Sequence, residues 1–358
     1  MRAYERLLNY VKVWTTSDEE STTSPTTARQ FDLAKLLLEE MKGMGIEDAM
    51  MDEYGYVYGH IPATPGYENC TAIGFLAHMD TAPDYSGENV NPQIIENYDG
   101  KDVVLGTSGR TLTVKDFPSL KNMTGKTLIT TDGTTLLGAD DKAGIAEIMT
   151  VAEELLKGDI PHGNVCLAFT TDEEVGSGAC HMDLERFGAP YAYTVDGGPE
   201  GEIQFENFNA ASAEFVIHGV NVHPGEAKDI MVNSMKIAME LQGMLPEQEA
   251  PEHTEGYEGF FHLMEMNGSV EETTMSYLIR EFDAEKYEAR KALMQEITAK
   301  INAKYGEGTV ELKLEDSYRN MREMIEPCMQ LIDFAVQACK DADVEPDIAP
   351  IRGGTDGA

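Results

Sequence analysis

The chain has 358 residues, 42% hydrophobic and 25% charged, and 27 basic against 64 acidic side chains leave a net charge of −37. That length exceeds one ordinary core and predicts two domains, while the apolar-to-charged balance is that of a globular protein. So acidic a chain repels nucleic acid and anionic membranes, which excludes both as partners; the carboxylates serve either as a soluble surface or as holders of metal cations.

In chain order, Leu7, Leu8, Tyr10, Val11 and Val13 recur at helical spacing among charges. No uninterrupted apolar stretch follows them, so no signal peptide is expected, and no run of eighteen apolar residues predicts a membrane span. Five cysteines, an odd number without a C-x-x-C pair, argue against a disulfide framework or a zinc knuckle. The cytoplasm is the expected compartment. Residues 31–44 predict an amphipathic helix, 71–77 a buried strand, 140–156 a helix, and 165–170 and 192–195 two further buried strands. Strands alternating with helices predict an α/β fold with a largely parallel sheet.

The pattern changes after about residue 209. A strand over 211–217, a helix over 226–245, strands over 259–266 and 274–282, a helix over 285–305 and a strand over 309–314 give the order β-α-β-β-α-β of a ferredoxin-like domain. Residues 207–321 are therefore predicted as a lid inserted into a catalytic domain made of 1–206 and 322–358, with a helix over 326–341. The twenty methionines are expected to fill core gaps. The sequence ends in a Gly-rich stretch, 349–358, after which a further segment is expected.

Four strand-like segments end in a His or an acid cluster. His78 closes the run 72–77; its ring can bind a metal while a carboxylate two residues on, Asp80, holds the other nitrogen, or it can simply pack at a strand end. Asp140 and Asp141 open the helix at 140; they cap it, or Asp140 bridges two metals through its two oxygens. Asp172, Glu173 and Glu174 follow the strand at 165–170 and repel one another unless a cation or proton intervenes. In a two-metal hydrolase one such carboxylate binds metal and its neighbour accepts a proton from water; the alternative is a solvated loop. Asp196, before two glycines, is a further ligand candidate or a plain turn residue. Carboxyl ends of parallel strands converge in space, and a mixed His–carboxylate site suits Zn²⁺, Mn²⁺ or Co²⁺.

Six phrases carry a resemblance over essentially the whole chain: T-L-L-G-A-D-D-K-A-G-I-A-E-I-M (135–149), T-V-D-G-G-P (194–199), E-N-F-N-A-A-S (206–212), T-E-G-Y-E-G-F (254–260), E-D-S-Y-R-N-M-R-E (315–323) and I-R-G-G-T-D-G-A (351–358). In this order they resemble the tripeptide aminopeptidases of the di-zinc exopeptidase family, which includes acetylornithine deacetylase and succinyl-diaminopimelate desuccinylase. The resemblance implies two zinc ions per subunit, with His78 and Asp196 on the first, Glu174 on the second and Asp140 bridging them. It further implies Glu173 as general base, Asp80 orienting His78, and a cis peptide between Asp140 and Asp141.

The resemblance also assigns His223 in the lid to the tetrahedral oxyanion, and Arg280 and Arg352 to the substrate carboxylate or backbone. For either Arg a surface ion pair is the alternative, and Asn233 is a lesser candidate for substrate contact. In the family one more His binds the second zinc beyond the Gly-rich loop. The sequence given ends before it, and His60, His162, His181, His218, His253 and His262 read as surface or packing residues. The implied reaction is removal of the N-terminal residue from a tripeptide, with short peptides as substrates; the lid type is compatible with a homodimer. The alternatives are a dipeptidase or N-acyl amino acid deacylase of the same family, or an inactive metal-binding fragment lacking the last ligand.

Overall fold

The computed structural model describes residues 1–357; Ala358, which closes the last quoted phrase and the stretch 322–358, lies outside the described residues. The chain divides into two compact units, residues 1–199 with 355–357, and residues 200–354.

The first unit is built on a five-stranded sheet of β1 (Met50–Met51), β2 (Val57–Ile61), β3 (Ile73–His78), β4 (Val165–Thr170) and β5 (Tyr191–Thr194), in the order β1-β2-β4-β3-β5. Strand β3 is parallel to both of its neighbours, β4 and β5, and the register sets His78 beside Thr170. Strands β1 and β2 add an antiparallel edge. Every residue of β4 is buried, as its unbroken apolar run requires of a strand covered on both faces. Helices α1 (Ala3–Tyr10), α2 (Gln30–Met44) and α3 (Ala139–Leu156) complete this layer. Leu33, Leu37 and Met41 of α2 and Ile145 and Met149 of α3 share a core with Leu167 and Phe169 of β4. Each such side chain contributes about 1.5–3 kcal/mol by leaving water. Arg6 of α1 is buried as well, and it is held by Glu40 of α2 at 2.8 Å and Glu153 of α3 at 2.6 Å.

Between β3 and α3 lies a stretch for which the sequence predicted no element. It forms two small antiparallel pairs, Gln93–Ile95 with Leu128–Thr130 and Val103–Val104 with Thr111–Leu112, around Tyr98, Val103 and Leu105.

The second unit contains β6 (Asn209–His218), α4 (Ser234–Gln242), β7 (Phe260–Gly268), β8 (Glu272–Glu281), α5 (Ala284–Tyr305) and β9 (Val310–Tyr318). The sheet is antiparallel throughout in the order β7-β8-β6-β9, the ferredoxin-like arrangement expected of the insertion. Its alternating strands turn Phe215, Ile217, Tyr277 and Ile279 onto Ile237 and Leu241 of α4 and Ile297 and Ile301 of α5.

Two helix expectations need correction. The helix predicted over 226–245 begins only at Ser234, capped by the Asn233 side chain. Ahead of it Pro224 allows a single 3₁₀ turn, Asp229 has a left-handed φ of 62°, and Val232 bridges to Val220, so those backbone groups are committed elsewhere. The helix predicted over 326–341 begins at Gln330, because Pro327 has no amide hydrogen for an intrahelical bond and only short turns precede it. Residues 322–354, assigned above to the catalytic domain, group with the second unit, where Asp347–Ile348 pairs in parallel with Glu202–Ile203 and Ile351 bridges to Asn207. Among the described residues no helix is long and apolar enough to cross a membrane.

Candidate active site

Because β3, β4 and β5 are parallel, their carboxyl ends open on one edge of the sheet. His78 ends β3, Asp172–Glu174 follow β4, Asp196 follows β5, and Asp140 stands at the start of α3. The buried His78 ring joins them. Its Nε2 is 3.0 Å from Asp140 Oδ1, 3.8 Å from Glu173 Oε2 and 4.0 Å from Asp196 Oδ2. Its Nδ1 faces the Asp80 carbonyl at 3.1 Å and the Asp80 carboxylate at 3.3 Å.

Asp80 is fully buried. Besides facing His78, its two oxygens accept the backbone N–H groups of Glu173 at 3.0 Å and Glu174 at 3.2 Å. One carboxylate thus orients the imidazole and fixes the turn carrying both glutamates. At the other side of the cluster the Asp140–Asp141 peptide is cis, and neither residue has helical angles. The Asp140 side chain is largely exposed, whereas Asp141 is buried and accepts from the His78 N–H at 3.2 Å and the Gly144 N–H at 3.1 Å.

So many acids in a partly dry place disturb one another. Burial, with the nearby Asp356, Asp196 and Asp80 carboxylates, pushes Glu173 up to about 8; burial and Asp140 push Glu174 up to about 7. Burial drives Asp141 up to about 9 and also raises Asp196. The hydrogen bond from His78 holds Asp140 below the usual carboxylate range. Burial disfavours charge on His78, but Asp140 and Asp80 outweigh it and raise the imidazole well above its ordinary value. Lys142, buried with its Nζ on the Val13 carbonyl at 2.8 Å, is pulled by burial down to about 7 although Asp80 opposes the shift.

This donor set fits divalent metal. His78, Asp140 and Glu174 offer ligand atoms within 4.8 Å of one another, and so do His78, Asp141 and Asp196. One imidazole with several carboxylates suits a borderline-to-hard divalent ion, and such an ion would relieve the mutual repulsion of the acids. Asp140, the bridging residue of the sequence reading, falls in the group with His78 and Glu174, and Asp141 falls in the group with His78 and Asp196.

The remaining predicted residues lie in the second unit. His223 accepts the Gly225 N–H on Nδ1 at 3.1 Å. Asn233 caps α4. Arg280 donates to the Ile279 carbonyl at 2.9 Å and lies over the Tyr318 ring. Arg352 donates from Nη1 to the carbonyls of Gly256 at 2.7 Å and Glu258 at 2.9 Å, and from Nη2 to Thr254. Neither Arg forms the surface ion pair weighed above among the described residues.

Two acids of the site had no role in the sequence reading. Asp141 was visible only as the neighbour of Asp140. Asp356, in the Gly-rich phrase 351–358, hydrogen-bonds the Thr170 hydroxyl at 2.5 Å, and burial pushes it up to about 6. Its sole sequence signal is an acid among glycines.

Comparison with known proteins agrees with this geometry. Residues 205–309 match the family profile of a peptidase dimerisation domain, and residues 124–253 match that of M42 glutamyl aminopeptidase. The chain is 56% identical over 356 residues to peptidase T of Geobacillus sp., spanning 99% of this chain and 87% of that protein. It is 55% identical over 355 residues to peptidase T of Clostridium novyi, with the same coverage. The fold is shared with crystal structures of the aminopeptidase PepT from Bacillus cereus, at 23% identity, and of a tripeptidase from Staphylococcus aureus, at 22%. Both give a TM-score of 0.76 over 99% of this chain and 85% of theirs.

Proposed function

This chain belongs to the peptidase T family and is a metal-dependent tripeptide aminopeptidase; we propose that it works with two zinc ions and with Glu173 as general base. The observation that carries the reading is the joining of Glu173 and Glu174 to His78 through the one buried carboxylate of Asp80. His78, Asp140, Glu174 and Asp196, with Asp141 beside them, would hold the metals. Bound zinc supplies Lewis acidity toward a carbonyl oxygen and toward water.

The protein's own groups do the rest. Glu173 would take a proton from the attacking water and deliver it to the departing amine, a role supported by its Oε2 lying 3.8 Å from His78 Nε2. Burial raises the Glu173 carboxyl above the ordinary carboxylate range, which favours its taking up a proton. Asp80 keeps the His78 ring in one orientation, with Nε2 toward the carboxylate cluster. On the family resemblance His223 is assigned to the oxyanion, Arg280 and Arg352 to the peptide's carboxylate or backbone, and Asn233 to a lesser substrate contact. Arg352 would serve with its two terminal nitrogens already tied to residues 254–258. The match of residues 205–309 to a dimerisation domain supports a homodimer, and the cytoplasm remains the proposed compartment.

A pair of substrates tests the activity: a free tripeptide and its N-acetylated form, each with added Zn²⁺ and identification of the released residue. Release of the first residue from the free peptide alone supports the aminopeptidase. Release of acetate from the N-acetylated form without turnover of the free tripeptide would transfer the chain to the deacylases.

A further inference from the structure

Asp172, the residue before the general base, is buried and takes no part in the chemistry above, yet it is the most heavily hydrogen-bonded carboxylate near the site. Its backbone is left-handed, with φ at 62°, a conformation that costs most residues about 1 kcal/mol or more and that Asp and Asn tolerate best. Its carboxylate faces a segment some 145 positions earlier in the chain. Oδ1 accepts the Thr26 hydroxyl at 2.6 Å and the Gln30 Nε2 at 2.6 Å, and Oδ2 accepts the Thr26 N–H at 2.8 Å. In return the Asp172 N–H donates to Gln30 Oε1 at 3.1 Å, which makes Gln30 a two-way clamp.

The consequence lies in the next two residues. The amides of Glu173 and Glu174 donate to Asp80, so the three consecutive N–H groups of residues 172–174 are each pinned by a side chain from outside the turn. The two anchors are themselves connected, since Thr27 donates to the Thr16 carbonyl at 2.8 Å and Thr16 meets Thr81 at 3.1 Å. An Asn at position 172 would meet the backbone requirement but keep only one acceptor oxygen. A carboxylate adds short charge-assisted bonds, and a fully satisfied buried polar network is rigid. Rigidity matters here because a misplacement of about 1 Å costs a reacting group about 100-fold.

We propose that Asp172, clamped by Thr26 and Gln30, is a positioning residue that sets where the Glu173 and Glu174 carboxylates stand, and so governs turnover and metal affinity without touching substrate. The proposal rests on the reading of Glu173 as base and Glu174 as metal ligand. Its test compares Asp172→Gly, which keeps the left-handed backbone and deletes the carboxylate, with Asp172→Asn, which keeps the backbone and one acceptor oxygen. Two readouts are taken on folded protein: kcat and KM on a free tripeptide, and Co²⁺ titration followed by visible absorption.

Asp172→Gly is expected to lose about 10- to 100-fold in kcat with KM within about twofold, and to bind the weaker Co²⁺ equivalent about tenfold less tightly. Asp172→Asn, which keeps one of the two acceptor oxygens, should recover only part of both. If Asp172→Gly fails to fold, Gln30→Ala, which keeps Asp172, must show the same split with a loss of about fivefold or more. Kinetics and Co²⁺ binding within about twofold of the parent in these variants would overturn the proposal, as would an equal loss in Asp172→Gly and Asp172→Asn. A parent protein that cleaves no tripeptide would defeat the functional reading instead. In that case the Co²⁺ titration still decides on positioning, because it uses no substrate.

Discussion

The Asp80 carboxylate accepts the backbone N–H of Glu173 at 3.0 Å while facing the His78 ring at 3.3 Å. The expected base and the expected metal-binding imidazole are therefore set by a single side chain. Asp80→Ala should remove the support of both: metal affinity is expected to fall about 10- to 100-fold and kcat at least as far. Asp80→Asn, keeping one acceptor oxygen for the two amides, should lose less. Co²⁺ titration with steady-state kinetics checks the order; an Asp80→Ala variant that retains full metal affinity would sever the link between Asp80 and His78.

Helix α3 meets the end of β5 with no room to spare. A Cβ at Gly144 would lie 1.8 Å from the Val195 carbonyl and 2.5 Å from Asp141 Oδ1. Gly144→Ala must push Val195, and with it Asp196, out of place. It is expected to cost about 1–3 kcal/mol and to reduce activity together with melting temperature. Gly43→Ala, within α2 where nothing lies within 4 Å, should instead stabilise by about 0.5–1 kcal/mol. Thermal melts of both variants check the contrast, and a neutral Gly144→Ala would contradict the packing described.

His60 supplies a pH-dependent contribution remote from the site. The Cys166 side chain, Asp48 at 2.6 Å and the Phe187 carbonyl at 3.1 Å hold it up at about 9, against its partial burial. Folding thus favours the charged ring. Its stabilisation is complete below the unfolded value of about 6.5 and disappears as pH rises through about 9. The ring is partly exposed, so screening limits the effect to the order of 1 kcal/mol. Urea unfolding of the parent and His60→Gln should differ most at pH 6 and least above pH 9; a gap that widens with pH would reverse the assignment.

Much of the site could be read from the sequence, for a physical reason. Buried parallel strands are short apolar runs, and His78, Asp172–Glu174 and Asp196 each stand where such a run stops, so fold and site were marked by the same pattern. Asp140 was marked by the helix it opens. Asp141 and Asp356 were not, because burial and not residue type sets them apart, and burial depends on contacts such as that between Asp356 and Thr170. The clamp on Asp172 was hidden in a Thr- and Ser-rich stretch that reads as loop, its partners lying 142 and 146 positions away. The strands of two or three residues between β3 and α3 are too short to show a period. The late start of α4 followed from bridging of Val232 to Val220, which helical spacing alone does not reveal.

The central claim is that Glu173 moves the proton while its neighbours hold the metal. The most direct measurement pairs the parent with Glu173→Gln, recording release of the N-terminal residue from a free tripeptide and the number of Co²⁺ ions bound. The account predicts that kcat falls at least about 100-fold while both ions remain bound, since the substitution keeps the shape and removes the base. A Glu173→Gln variant that cleaves at the parent rate, or that loses activity only because it loses metal, would contradict it.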